Sequence, residues 1–156
     1  MKGNKKIIAK LNDLLSDELT AVNQYMVHAQ MAVNWGYQAL ADTVEKRAID
    51  EMKHAERLID RILFLEGTPV VSSYKAIHIG ADVEKQIGND WTAEDGAVKS
   101  YNDGVKLAVE TGDNGSRELM ESILKDEEAH IDWIETQKDQ IKQMGIQIYL
   151  SNQGKD

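Results

Sequence analysis

Residues 49–67, IDEMKHAERLIDRILFLEG, answer residues 123–136, ILKDEEAHIDWIET. Each holds the pattern Asp-Glu-x-x-His, at Asp50-Glu51-Met52-Lys53-His54 and at Asp126-Glu127-Glu128-Ala129-His130. Residues three apart on an α-helix project from one face about a turn apart, so a Glu and the His that follows it can grip a single ion together. Both glutamates also fall on apolar stripes. Glu51 is in line with Val44, Ala48, Ala55 and Leu58, and Glu127 with Met120, Ile123, Leu124, Ile131 and Ile134, the periodicity of a helix face turned toward a core.

Outward from these stretches the whole chain reads as all-α. It holds one proline and one phenylalanine in 156 residues, too few aromatics for a strand-rich protein, and abounds in helix formers. Amphipathic stretches run over residues 4–35, 38–65, 82–111 and 115–144. Gly36, Gly67-Thr68-Pro69, the segment Thr111 to Gly115 and Gly145 punctuate them, as glycine caps and a proline stop do. A short extra helix is expected over 146–152. The first and second helices almost touch in sequence, as do the third and fourth, while residues 66–81 separate the second from the third. This spacing predicts two helical hairpins joined by a crossover that runs the length of a four-helix bundle. The length suits one domain over 1–156.

The absence of cysteine excludes disulfides, thiolate metal sites and cysteine nucleophiles. A formal charge of −9 disfavours nucleic acid and anionic membranes and favours cations. No secretory core and no run of about 18 apolar residues is present, so a cytoplasmic protein without membrane partners is expected.

The other two long helices break their apolar stripes once each. Glu18 sits among Leu11, Leu14, Leu15, Val22 and Tyr25, and Glu94 among Ile87, Trp91, Val98, Tyr101 and Val105. Four carboxylates and two imidazoles thus enter one core, where an unpaired charge costs several kcal/mol, and no inward lysine or arginine reads as their counter-charge. Two divalent metals would balance four carboxylates. Oxygen donors with one imidazole per metal suit iron or manganese, and iron is the expected occupant: two ferrous ions about 3.5–4 Å apart, each giving up one electron. Glu51 and Glu127 are expected to bridge, with Glu18 and His54 completing one metal and Glu94 and His130 the other. Asp50 and Asp126 either hold the opposite helix's histidine or are simply solvated. Met52, one position past Glu51, turns about 100° away onto a second apolar stripe with Ala48, Ile49, Ala55 and Ile59.

Glu18, Glu51-x-x-His54, Glu94 and Glu127-x-x-His130, with the two stretches quoted above, resemble the bacterioferritins nearly end to end. The resemblance implies a ferritin-like four-helix bundle with ferroxidase activity, using oxygen or hydrogen peroxide, two iron ions per subunit, and a 24-chain cage built from two-fold dimers that stores a ferric mineral. It also implies a haem, b-type or variant, shared between two subunits. Met52 would be its axial ligand, Leu19, Asn23 and Met26 would line its pocket, and a ferredoxin would supply electrons for iron release. Lys46 stands where some members carry a histidine that joins Asp50 in an interior iron site, which removes the ground for expecting that site here. The tail around Ile148, Tyr149 and Leu150 would border a channel of the cage.

Tyr25, Tyr101 and Trp133 lie near the centre; aromatic packing is the simpler reading, with Tyr25 the first candidate for a contact to a ligand. His28 and His78 lack an acidic partner at ligand spacing and read as surface or satisfied histidines, and Trp35 as packing. The alternatives are a rubrerythrin-like peroxidase or a manganese catalase on the same bundle, and a structural cage subunit with an inactive centre. A nucleic-acid-binding mini-ferritin is disfavoured by the lack of a basic arm.

Overall fold

The computed structural model describes residues 1–154. Four long helices, α1 (Lys5–Trp35), α2 (Gln38–Phe64), α3 (Val83–Thr111) and α4 (Asn114–Met144), are followed by a short α5 (Ile146–Ser151). Every limit lies within one residue of expectation. The residual shift at two N-termini is a capping effect: Asn4 and Asp82 stand just outside their helices with extended backbones and accept from the amides of Lys6 and Lys85, as N-caps do. Gly36 and Gly112, at φ 83° and 71°, take the left-handed turns that end α1 and α3 at little steric cost.

α1 packs along α2 and α3 along α4, and the two hairpins meet chiefly through α1 against α3. One buried apolar cluster fills the end of the bundle around Leu11, Leu14, Leu58, Ile62, Met120 and Ile123. A second fills the other end around Tyr25, Ala29, Val44, Ala48, Ile87 and Ile134. The inward glutamates occupy the layer between them.

The crossover between α2 and α3 has no helix or strand to satisfy its backbone, and a polar stripe on α1 supplies the partners. Asn12, Ser16, Thr20, Gln24 and His28 recur every four residues. Asn12 bonds Thr68 O (3.1 Å) and the Val70 amide (2.8 Å); Ser16 donates to Ser73 O (2.9 Å). The amides of Lys75, His78 and Gly80 donate to Thr20 Oγ1 (2.8 Å), Gln24 Oε1 (3.1 Å) and His28 Nε2 (3.0 Å). Buried main-chain groups demand partners, and this ladder holds an extended strap flat against the bundle. Among the described residues no helix is long and apolar enough to cross a membrane.

Candidate metal centre

Glu18, Glu51, Glu94 and Glu127 are each at most 2% exposed, one from each long helix. They meet the two histidines through the Nδ1 atoms. His54 Nδ1 lies 2.9 Å from Glu127, 3.1 Å from Glu51 and 3.5 Å from Glu18. His130 Nδ1 lies 2.9 Å from Glu51, 3.4 Å from Glu94 and 3.7 Å from Glu127. Two donor sets result, Glu18, Glu51, His54, Glu127 and Glu51, Glu94, Glu127, His130, each with its ligand atoms within 4.8 Å of one another. Glu51 and Glu127 belong to both.

Several of these atoms lack hydrogen-bond partners although they are fully enclosed: Glu51 Oε1, Glu94 Oε2, Glu127 Oε1 and His130 Nδ1. The ion-pair distance from His130 to Glu51 is short, but the ring N–H is not aligned with the oxygen, so proximity here is not a hydrogen bond. Buried orphan donors and acceptors of this kind are rare, and all four face the same interhelical space. Three oxygens and one imidazole nitrogen per set is a donor chemistry suited to iron or manganese.

Without an ion, protons do the work of charge balance. Burial opposes a charged His54, but the adjacent carboxylates of Glu127, Glu18 and Glu51 outweigh it and hold the imidazole far above its usual pKa. The same contest at His130, won by Glu127, Glu51 and Glu94, carries it to about 12. Burial, then the neighbouring Glu51, raises Glu18. Burial and Glu127 raise Glu94.

Further contacts orient the donors. Asp126 Oδ2 sits 3.1 Å from His54 Nε2, leaving Nδ1 as the nitrogen turned to the glutamates. Asp50 stands 3.9 Å from His130 Nε2, too far for the corresponding bond, so only one of the two aspartates meets that expectation. Tyr25 on α1 donates to Glu94 (2.5 Å), and Tyr101 on α3 donates to Glu18, a crossed pair of phenols. Burial and the adjacent carboxylates raise both phenol pKa values, which keeps them donors. Tyr101, read from sequence as packing, is thus a contact of the centre.

An inward cation is present after all. Arg47 is buried one turn before Glu51, its guanidinium over the rings of Trp133 (4.6 Å) and Tyr25 (5.3 Å). It faces Asp90 Oδ2 at 3.7 Å and pairs there, not with the four glutamates, which still lack a fixed counter-ion. Buried Asp90 also accepts from Gln24 (2.9 Å) and His28 Nδ1 (2.8 Å). His28 is therefore a satisfied core histidine, whereas His78 is exposed.

Met52, 45% exposed, lines a hollow of ≈ 200 Å³ whose floor is apolar (Val22, Met26, Ala29, Ala48, Ile49) and to which Gln30 and Glu45 also contribute. A soft thioether exposed on this face is a donor that would suit a haem iron. Leu19 and Asn23 do not line this hollow. Leu19 packs against the apolar cluster at the far end of the bundle, and Asn23 is half-buried.

A helical bundle with two carboxylate–histidine donor sets at its centre has the architecture of the carboxylate-type metal proteins. Residues 8–144 match the family described as Ferritin-like domain. The chain is 40% identical over 149 residues to the bacterioferritin of Brucella melitensis, covering 96% of this chain and 92% of that protein. It is 37% identical over 149 residues to the bacterioferritin of Mycobacterium leprae (96% and 94%) and 38% identical over 147 residues to that of Rhodobacter capsulatus (94% and 91%). The chain belongs to the ferritin-like family and, within it, to the bacterioferritins.

Proposed function

We propose that this chain is an iron-storage subunit that takes up ferrous iron as substrate and oxidises it at the centre between its helices. The observation that carries the reading is the sharing of Glu51 and Glu127 by two donor sets whose enclosed atoms lack partners. A pair of ferrous ions bound there supplies two electrons to oxygen or hydrogen peroxide. The protein's part is to set the pair. Glu51 and Glu127 bridge; Glu18 with His54 and Glu94 with His130 complete the two ions. Each imidazole releases its Nδ1 proton to solvent as the ion arrives, while Tyr101 and Tyr25 keep Glu18 and Glu94 turned inward.

Membership of the bacterioferritins supports the rest. The whole chain acts as one domain and assembles through two-fold dimers into a 24-chain cytoplasmic cage that holds the ferric product. Met52 would hold a haem shared between two subunits, and that group would supply the electron transfer for iron release, with a ferredoxin as the partner that reduces the protein. Met52→Leu removes the soft donor at little change in volume, so the purified variant should lose the haem absorbance that the parent shows; full retention would exclude Met52 as ligand.

The oxidation is tested by stopped-flow absorbance as ferrous iron is added to metal-free protein. A fast phase that saturates at two irons per chain, and that disappears in Glu127→Gln, is the expected result. An unaltered fast phase in that variant would remove Glu127 from the site. Rapid oxygen release from peroxide without iron oxidation would point to manganese chemistry.

A further inference from the structure

Arg47, on α2 one turn before Glu51, is 4% exposed. A guanidinium carries N–H donors in a fixed fork and normally spends them on directed bonds. Here Nη1 has no hydrogen-bond partner, and the Asp90 carboxylate stands 3.7 Å from it. What encloses the charge is aromatic: the ring of Tyr25 from α1 at 5.3 Å and that of Trp133 from α4 at 4.6 Å. Both are within the reach at which a ring face attracts a cation, and the attraction is strongest where water is excluded. One side chain thus ties α2 to the other three long helices.

Each of its partners adjoins a donor of the centre. Asp90 precedes Glu94 by one turn on α3, Trp133 follows His130 by one turn on α4, and Tyr25 itself donates to Glu94 Oε1 at 2.5 Å. That bond occupies one carboxylate oxygen; Glu94 Oε2 and His130 Nδ1 stay enclosed and without partners. Tyr101, the matching phenol on Glu18, has no cation over its ring among the described residues. The Arg47 layer therefore bears on one half of the centre.

We propose that Arg47 is a positioning residue for the Glu94–His130 half: its guanidinium fixes the Tyr25 ring, so that the phenol keeps Glu94 Oε1 and Oε2 is presented to an arriving divalent ion. The inference rests on the reading of the four glutamates as cation ligands.

Anaerobic Co(II) titration of the assembled, metal-free protein, followed by visible absorbance, reads the two donor sets as two binding steps without oxidation. Arg47→Gln is expected to weaken one step about tenfold, the scale of losing a partner that orients a ligand, and to leave the other at parental affinity. Tyr25→Phe, which removes only the hydroxyl, should weaken the same step. The two changes combined should weaken it no further than Tyr25→Phe alone, because both act through one bond, whereas a generally loosened core would add its own loss. Arg47→Lys, which keeps a cation over the rings, should retain most of the affinity. Since Arg47→Gln leaves Asp90 buried without its cation, Arg47→Gln with Asp90→Asn removes both charges and should show the same single-step loss. Equal losses at both steps, additive losses with Tyr25→Phe, or parental affinity in Arg47→Gln would each overturn the inference while leaving the glutamate site standing. Failure of the parent protein to bind Co(II) would overturn the reading of the glutamates, and the role of Arg47 with it.

Discussion

The two halves of the centre carry the same donors and are not held alike. The His54 side chain is 4% exposed and its outer nitrogen is anchored by Asp126. The His130 side chain is 14% exposed, its outer nitrogen stands 3.9 Å from Asp50, and its inner nitrogen has no aligned partner. A surface depression lined by Asp50, Lys53, Arg57, Asp126 and Ala129 lies against both imidazoles. A repeated Glu-x-x-His therefore specifies which atoms can bind, while the residue in front of each motif on the facing helix decides how firmly each imidazole is aimed. The half built on His54 is anchored through its outer nitrogen, and the half built on His130 is not.

Removing the anchor should show the difference most clearly. Asp126→Asn is expected to weaken ion binding at the His54 half by roughly 10–100-fold, measured by anaerobic titration. Asp50→Asn should change affinity far less, since no bond is lost. Equal losses in both variants would erase the distinction between the halves.

A gentler effect is expected from pH. In the metal-free protein His54, His130, Glu18 and Glu94 all bind protons more tightly folded than unfolded, so the native state holds the greater number of protons and stability falls as pH rises. For the histidines this contribution is complete below their unfolded pKa of about 6.5 and is lost toward about 12 at His130. The melting temperature of metal-free protein should drop between pH 7 and pH 9, and loading with a divalent metal, which displaces those protons, should flatten the slope. A metal-free melting temperature that rises over this interval would contradict the proton assignment.

Much of this was readable in the chain because it rests on local periodicity. A carboxylate on an otherwise apolar stripe is visible in sequence, and the six donor residues are brought together as that pattern implies. Helix ends were readable for the same reason, since glycine and proline act within a turn. What escaped depends on contacts between distant segments. The stripe of Asn12, Ser16, Thr20, Gln24 and His28 looks like ordinary surface polarity until an extended strap is laid upon it. Arg47 looks like a solvated cation because its partner Asp90 is on another hairpin. Tyr101 is indistinguishable from packing until Glu18 of the facing helix arrives at its hydroxyl. Leu19, placed at the haem pocket by resemblance, is half-buried on α1 and packs against the cluster around Leu11 and Leu58.

The central claim is that two ions share Glu51 and Glu127. It is tested most directly by soaking crystals in ferrous iron without oxygen and recording diffraction on both sides of the iron absorption edge. Two anomalous peaks about 3.5–4 Å apart, both bounded by Glu51 and Glu127 and flanked separately by His54 and His130, are the predicted result. A single peak between the histidines, or iron bound only outside the bundle, would contradict it.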